Sequence, residues 1–145
     1  MTPMLSRAKT KDTKTWIEGF YACESNHACF RSELKYTHFI FKDEFMDWGL
    51  GGLVQYEVIP QTVGRYTGLT DKNGTKIFEG DIVKHYHDKK FPESYSKGVI
   101  YWDEEYLRWK RTSENVKVCI APDCIYEVIG NIHENPELLK GGEQT

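Results

Sequence analysis

The sequence predicts a mainly β protein: a small N-terminal β-rich portion, then a small barrel closed by a short C-terminal helix. Three observations point there. Nine Tyr and four Trp bring aromatic residues to 14% of the 145-residue chain, a bias toward pleated, half-buried surfaces. Short runs of alternating polar and apolar residues recur through the second half at roughly ten-residue spacing, the pattern of a small barrel. Turn signals built on Gly, Asn and Asp separate those runs.

In chain order, "KDTK" (11–14) supplies a polar turn before the first strand. "KTWIEGFYAC" (14–23) alternates Trp16, Glu18 and Phe20 against Ile17, Gly19 and Tyr21, which suits a half-buried strand. "YTHFIFK" (36–42) is again β-branched and aromatic. "DWGLGG" (47–52) carries three glycines in six positions and marks a break. The dividing line between the two portions is expected at residue 55, giving regions 1–55 and 56–145.

The second portion opens with "VQYEVIP" and "RYTGLT", followed by "DKNG", the strongest hairpin signal in the chain. An Asn-Gly pair tolerates the positive φ angles that tight two-residue turns demand. Gly80 and Asp81 then turn the chain into an Ile-Val strand. "GVIYWDEEYLRWKR" (98–111) reads as a hairpin around Asp103, Glu104 and Glu105, and "VKVCIAPDCIYEVIGNI" (116–132) as two further strands. "ENPELLK" reads as a single helical turn or short helix, with Asn135 in cap position and Pro136 at the first helical site, where its missing N–H does no harm.

Composition bounds the function classes. Apolar residues at 39% and charged residues at 28% describe a globular chain with a core of its own. A net charge of −3 argues against a protein held to nucleic acid mainly by counterion release. A local basic run, Arg7, Lys9, Lys11 and Lys14 against Asp12, remains at the N-terminus. No apolar run approaches the roughly 18–20 residues of a membrane span, and "MTPMLSRAKTKD" lacks the apolar region of a signal peptide. The expectation is a cytoplasmic protein with four reduced thiols, no membrane association and no cofactor.

The density of acidic and His residues between Asp71 and Asp88 invites a metal or catalytic reading. An EF-hand counted from Asp71 fails at position 6, which is Lys76, and at position 12, which is Ile82. His85 and His87 share one face of a strand, but a catalytic metal wants a third protein ligand and nothing nearby is obliged to supply it. Cys23, His27, Cys29 and one of Cys119 or Cys124 lack the knuckle spacing of a zinc site, so these cysteines read as small buried hydrophobes and no metal is expected. No nucleophile elbow, phosphate loop or dinucleotide fingerprint is present. Asp103, Glu104 and Glu105 sit at a hairpin tip, where solvation keeps carboxyls ordinary. The expectation is that the protein is not an enzyme.

A nucleic-acid reading rests on one hairpin. Trp102, Tyr106, Arg108, Lys110 and Arg111 interleave aromatics with cations, as single-strand-binding surfaces do. Alternation puts Tyr106, Arg108 and Lys110 on one face, with Leu107 and Trp109 on the other. The same pattern fits an amphipathic strand whose cations are its wet side, and the acidic net charge favours that second reading.

"YEVIPQTVGRYTGLTDKNGTKIFEGDIVK" (56–84), "GVIYWDEEYLRW" (98–109) and "YEVIGNIHENPELL" (126–139) together resemble the YopX family of phage and prophage proteins. "SRAKTKDTKTWIEGFYAC" (6–23) is similar, more loosely, to that family's start. The resemblance implies an SH3-like barrel in the second portion and a phage or prophage accessory role. It carries over no catalytic residue and no cofactor, and leaves a protein partner, self-association included, as the expected mode of action. It also implies that Gly68, Asn73, Gly74, Gly80 and Asp81 are turn residues chosen for backbone geometry.

Overall fold

The computed structural model describes residues 4–26, 35–45, 51–88, 90–112, 118–120 and 124–139. The chain divides into two compact units, residues 1–65 and 66–145. The line expected at residue 55 falls inside a strand, Gly51–Glu57.

The first unit is an antiparallel meander of β1 (Ser6–Lys9), β2 (Trp16–Asn26), β3 (Lys35–Phe45) and β4 (Gly51–Glu57), laid side by side in that order. The first residues of β5 (Gly64–Thr70) pair on the other side of β1, with Arg65 opposite Ser6 and Gly64 opposite Arg7. The β1–β2 turn is held by threonines: Thr10 N–H donates to Thr15 O at 2.9 Å, and the Thr10 and Thr13 hydroxyls are 2.8 Å apart. Alternation sorts the faces. Ala8, Ile40 and Val58 are buried, with Ile17 and Val63 packed against them. Gly19 shares that inner face with Ile17, and it must be glycine because a Cβ there would stand 2.2 Å from the Phe41 carbonyl oxygen. Trp16, Glu18 and Phe20 point the other way.

In the second unit the remainder of β5 pairs with β6 (Lys76–Phe78), Tyr66 opposite Phe78 and Thr70 opposite Lys76, with the register shifting between these pairs. Gly68 lies in that shift with φ +88°. A five-stranded antiparallel sheet follows from β7 (Asp81–Tyr86), β8 (Tyr95–Asp103), β9 (Arg108–Arg111), β10 (Val118–Cys119) and β11 (Ile125–Asn131), ordered β10-β9-β8-β7-β11. Ile77, Val83, Ile100 and Tyr126 form its core, with Leu69, Trp109 and Val128 packed around them.

One expectation is corrected by the sheet order. The SH3-like barrel does not close among the described residues: β10 and β11 are the two edges of the sheet and no pairing joins them. The C-terminal helix is a single 3-10 turn, Pro136–Leu139. Its entry is shaped by Asn131, whose side-chain oxygen accepts the His133 and Glu134 N–H groups at 3.0 Å each. No helix among the described residues is long and apolar enough to cross a membrane.

Candidate functional site

The polar segment in the middle of the chain is built around Asp71. Its Oδ1 accepts from the Asn73 and Thr75 N–H groups at 2.9 Å each, and its Oδ2 accepts from Val128 N–H at 3.0 Å. Burial alone would push this carboxyl up, but the three N–H donors and nearby Lys72 outweigh it and hold it below its ordinary value. Of the Asn-Gly pair, Gly74 takes a positive φ of +83° and Asn73 does not. The loop is therefore a longer one closed by a single left-handed glycine, rather than the two-residue turn that Asn-Gly suggests. Asp81 is buried and accepts Phe78 N–H at 2.8 Å, while Gly80 before it adopts φ +90°. Among the described residues no three His, Cys, Asp or Glu side chains gather in a way that could hold a metal. His27 and Cys29 lie outside the described residues.

The Trp102–Arg111 hairpin places its five singled-out residues in different surroundings. Tyr106 is 59% exposed at the tip, with the Arg108 guanidinium 5.0 Å and the Lys110 ammonium 4.8 Å from its ring centre. Trp102 and Trp109 face each other across the strands, edge to face at 5.0 Å. Lys110 is buried and pairs with Asp103 at 2.6 Å. That pair raises the Lys110 pKa and lowers the Asp103 pKa, the hydrogen bond between them being the leading cause of both shifts. Asp103 also accepts from Glu105 and Tyr106 N–H, which forms the turn. Arg111 is turned inward: Nη2 donates to His85 Nδ1 at 2.8 Å and Nη1 to Thr112 O at 3.4 Å. The hairpin thus presents Tyr106 and Arg108 outward, while Lys110 and Arg111 are engaged inside.

Reading motifs alone misses the outer face of the first unit. Phe20 lies opposite Phe41 in the β2–β3 register, and Phe39 stands two positions along, its ring 6.5 Å from that of Phe41. Leu53, opposite Asp43, continues this face onto β4 and is 63% exposed; Phe20 is 42% exposed. At the β1 end, Trp16 is covered by Arg7 at 4.8 Å and Lys9 at 5.6 Å. The signal was present in the alternation of Trp16, Glu18 and Phe20. What alternation could not say was which of the two faces of β2 turns outward.

On the second unit, the faces of β7 and β8 opposite the core carry a further aromatic and cationic set. Lys84 lies 4.4 Å from the Tyr95 ring centre and Lys72 lies 4.7 Å from that of Tyr86. Lys72 also pairs with Glu127 at 3.0 Å, so its charge is already answered. A depression of about 230 Å³ beside it is lined by Lys72, Tyr86, Asp88, Pro92 and Ile125.

Comparison with known proteins places this architecture. The crystal structure of protein EF1440 from Enterococcus faecalis superposes with a TM-score of 0.56 at 25% sequence identity, covering 96% of this chain and 100% of that chain. No match was found among curated proteins. The family model described as YopX protein matches residues 7–140. With that span covering nearly the whole chain, the protein belongs to the YopX family.

Proposed function

We propose that this chain is a non-enzymatic accessory protein of phage or prophage origin that acts in the host cytoplasm by binding a protein partner, which includes further copies of itself. The observation that supports this reading best is the outer face of the first unit. Phe20, Phe39 and Phe41 group on one face of β2 and β3, and Leu53 lies on the same face of β4 opposite Asp43; Phe20 and Leu53 are substantially exposed. Apolar side chains grouped on one sheet face mark an interaction site more often than scattered exposed residues do. That face reaches β4, an edge strand among the described residues, so its outer backbone groups lie beside Leu53. The polar groups best placed for chemistry, Asp71 and Asp81, instead serve as acceptors for backbone N–H groups.

Affinity capture from host cells, with nuclease treatment in parallel, tests the proposal. Protein retained through nuclease treatment by the native chain, and lost with Phe20→Glu, supports it. Turnover of a nucleotide abolished by one side-chain change would overturn it.

A second reading, a nucleic-acid-binding module, is supported by exposed Tyr106 with Arg108 beside its ring. That pair offers one stacking surface and one cation, fewer than the five residues of the motif suggest. Anisotropy titration with single-stranded DNA and RNA at two salt concentrations decides it: salt-dependent binding weakened by Tyr106→Ala supports the reading, and its absence at micromolar protein removes it.

A further inference from the structure

Arg111 is 3% exposed, and among the described residues no carboxylate pairs with it. A guanidinium cannot shed its proton, so a full positive charge sits on the inner face of the second unit's sheet without a counter-charge. Its Nε–H has no acceptor. The group it does reach, His85 Nδ1, must itself accept, because arginine only donates. His85 is therefore neutral and carries its proton on Nε2. Burial, then Arg111 and His87, all lower the His85 pKa, which agrees with the neutral ring. The imidazole supplies orientation and no negative charge.

The surroundings add a further donor. Ser96 stands directly opposite His85 in the β7–β8 register, so the two side chains share a face, and the Ser96 hydroxyl is buried without a partner. Across β8, the Thr112 carbonyl that Arg111 touches lies where a Gly98 side chain would have been, 1.9 Å from an added Cβ. Tyr126 forms an aromatic wall with its ring 5.2 Å from His85, and exposed His87 lies edge-on at the same distance. The cluster meets solvent on the His85–His87 side, since His85 is only partly buried.

A buried charge with an orphan N–H, next to a buried hydroxyl that is equally unanswered, is an expensive arrangement unless something answers it. We infer that this cluster is a binding site for an oxyanion, a carboxylate or phosphate group, with the Arg111 guanidinium as its charged donor and Ser96 Oγ–H as a flanking donor. The site lies on the second unit and does not depend on the outer face of the first, so the two proposals stand or fall separately.

The test is an NMR titration of the full chain, following the His85 ring nitrogens at neutral pH and constant ionic strength. Inorganic phosphate is added in one arm and acetate in the other. The expected result is a saturable shift in at least one arm, and the arm that saturates names the oxyanion. Arg111→Lys keeps the charge but loses the fork, and weakens that binding about tenfold or more. Ser96→Ala, the milder change, weakens it about threefold or more and serves as the readout where Arg111→Lys does not fold. His85 signals that stay put or drift linearly in both arms overturn the inference. So does undiminished binding in a folded Arg111→Lys protein, or in Ser96→Ala where that variant is the readout.

Discussion

The Asp71 carboxylate accepts the Val128 N–H at 3.0 Å, tying the Asp71–Thr75 loop to β11 across 57 positions of sequence. The attachment has a second point, Lys72 N–H to Tyr126 O at 2.9 Å. One acidic side chain thus closes its own loop and fixes where that loop docks. Asp71→Ala would orphan three N–H groups around a largely buried position, and a destabilisation of about 3 kcal/mol is expected. Asp71→Asn keeps acceptor capacity and is expected to lose less. Denaturant unfolding of the three proteins measures the order; equal stability of the native chain and Asp71→Ala would refute it.

The same group sets a pH dependence. The Asp71 pKa in the folded chain lies below the ordinary 3.8. Its contribution is therefore fully present above the unfolded pKa, and is lost as pH falls through the folded one. The stability gap between the native chain and Asp71→Asn should be constant near neutrality and shrink in acid. A gap that widens on acidification would contradict the assignment.

His85 acts in a higher window with the same sign. Its folded pKa is lowered from 6.5, so below that value the unfolded chain takes up a proton that the folded chain resists. Stability is expected to decline as pH falls below about 6.5, and His85→Gln, which can still accept from Arg111, should flatten that part of the curve. Unfolding midpoints of both proteins through the mildly acidic range provide the check.

Glycine positions give a contrast independent of charge. Gly98→Ala drives a Cβ into the Thr112 carbonyl, a backbone atom that cannot step aside, and about 3 kcal/mol or more should be lost. Gly52→Ala meets nothing within 4 Å and should change stability by less than about 0.5 kcal/mol. Similar melting temperatures for the two variants would show that the Thr112 approach is not as close as described.

Leu107 holds φ +52° at an exposed hairpin tip, a conformation that burdens any residue with a Cβ. Leu107→Gly removes that strain and should stabilise by about 1 kcal/mol, less the entropy that glycine returns to the unfolded chain. A lower melting temperature would mean that the Leu107 side chain packs in a way its exposure does not suggest.

Much of the strand order was legible because alternation and turn chemistry are local. Trp16, Glu18 and Phe20 do share a face, and the strands flanking Asp103 and Glu104 do form a hairpin. The positive φ angles of Gly68, Gly74 and Gly80 follow from the same local chemistry. Barrel closure was not legible, since it depends on whether β10 and β11 meet, and no residue within either strand records that. Asp71 was visible as a turn former, but its bond to Val128 spans distant segments. Lys110 shows the same limit: alternation counts it with Tyr106 and Arg108 on the wet side of an amphipathic strand, while its burial and its pairing with Asp103 depend on β8 lying beside it. The outer face of the first unit escaped for a related reason, because exposure is decided by what covers a strand.

The most direct test of the central claim is quantitative capture by the native chain and by a double variant, Phe20→Glu with Leu53→Glu, after nuclease treatment. Both substitutions fall on exposed positions, so the fold should survive, and an unchanged unfolding midpoint would confirm that it has. Protein held by the native chain is expected to be lost from the variant. Full retention by a folded double variant would contradict the claim.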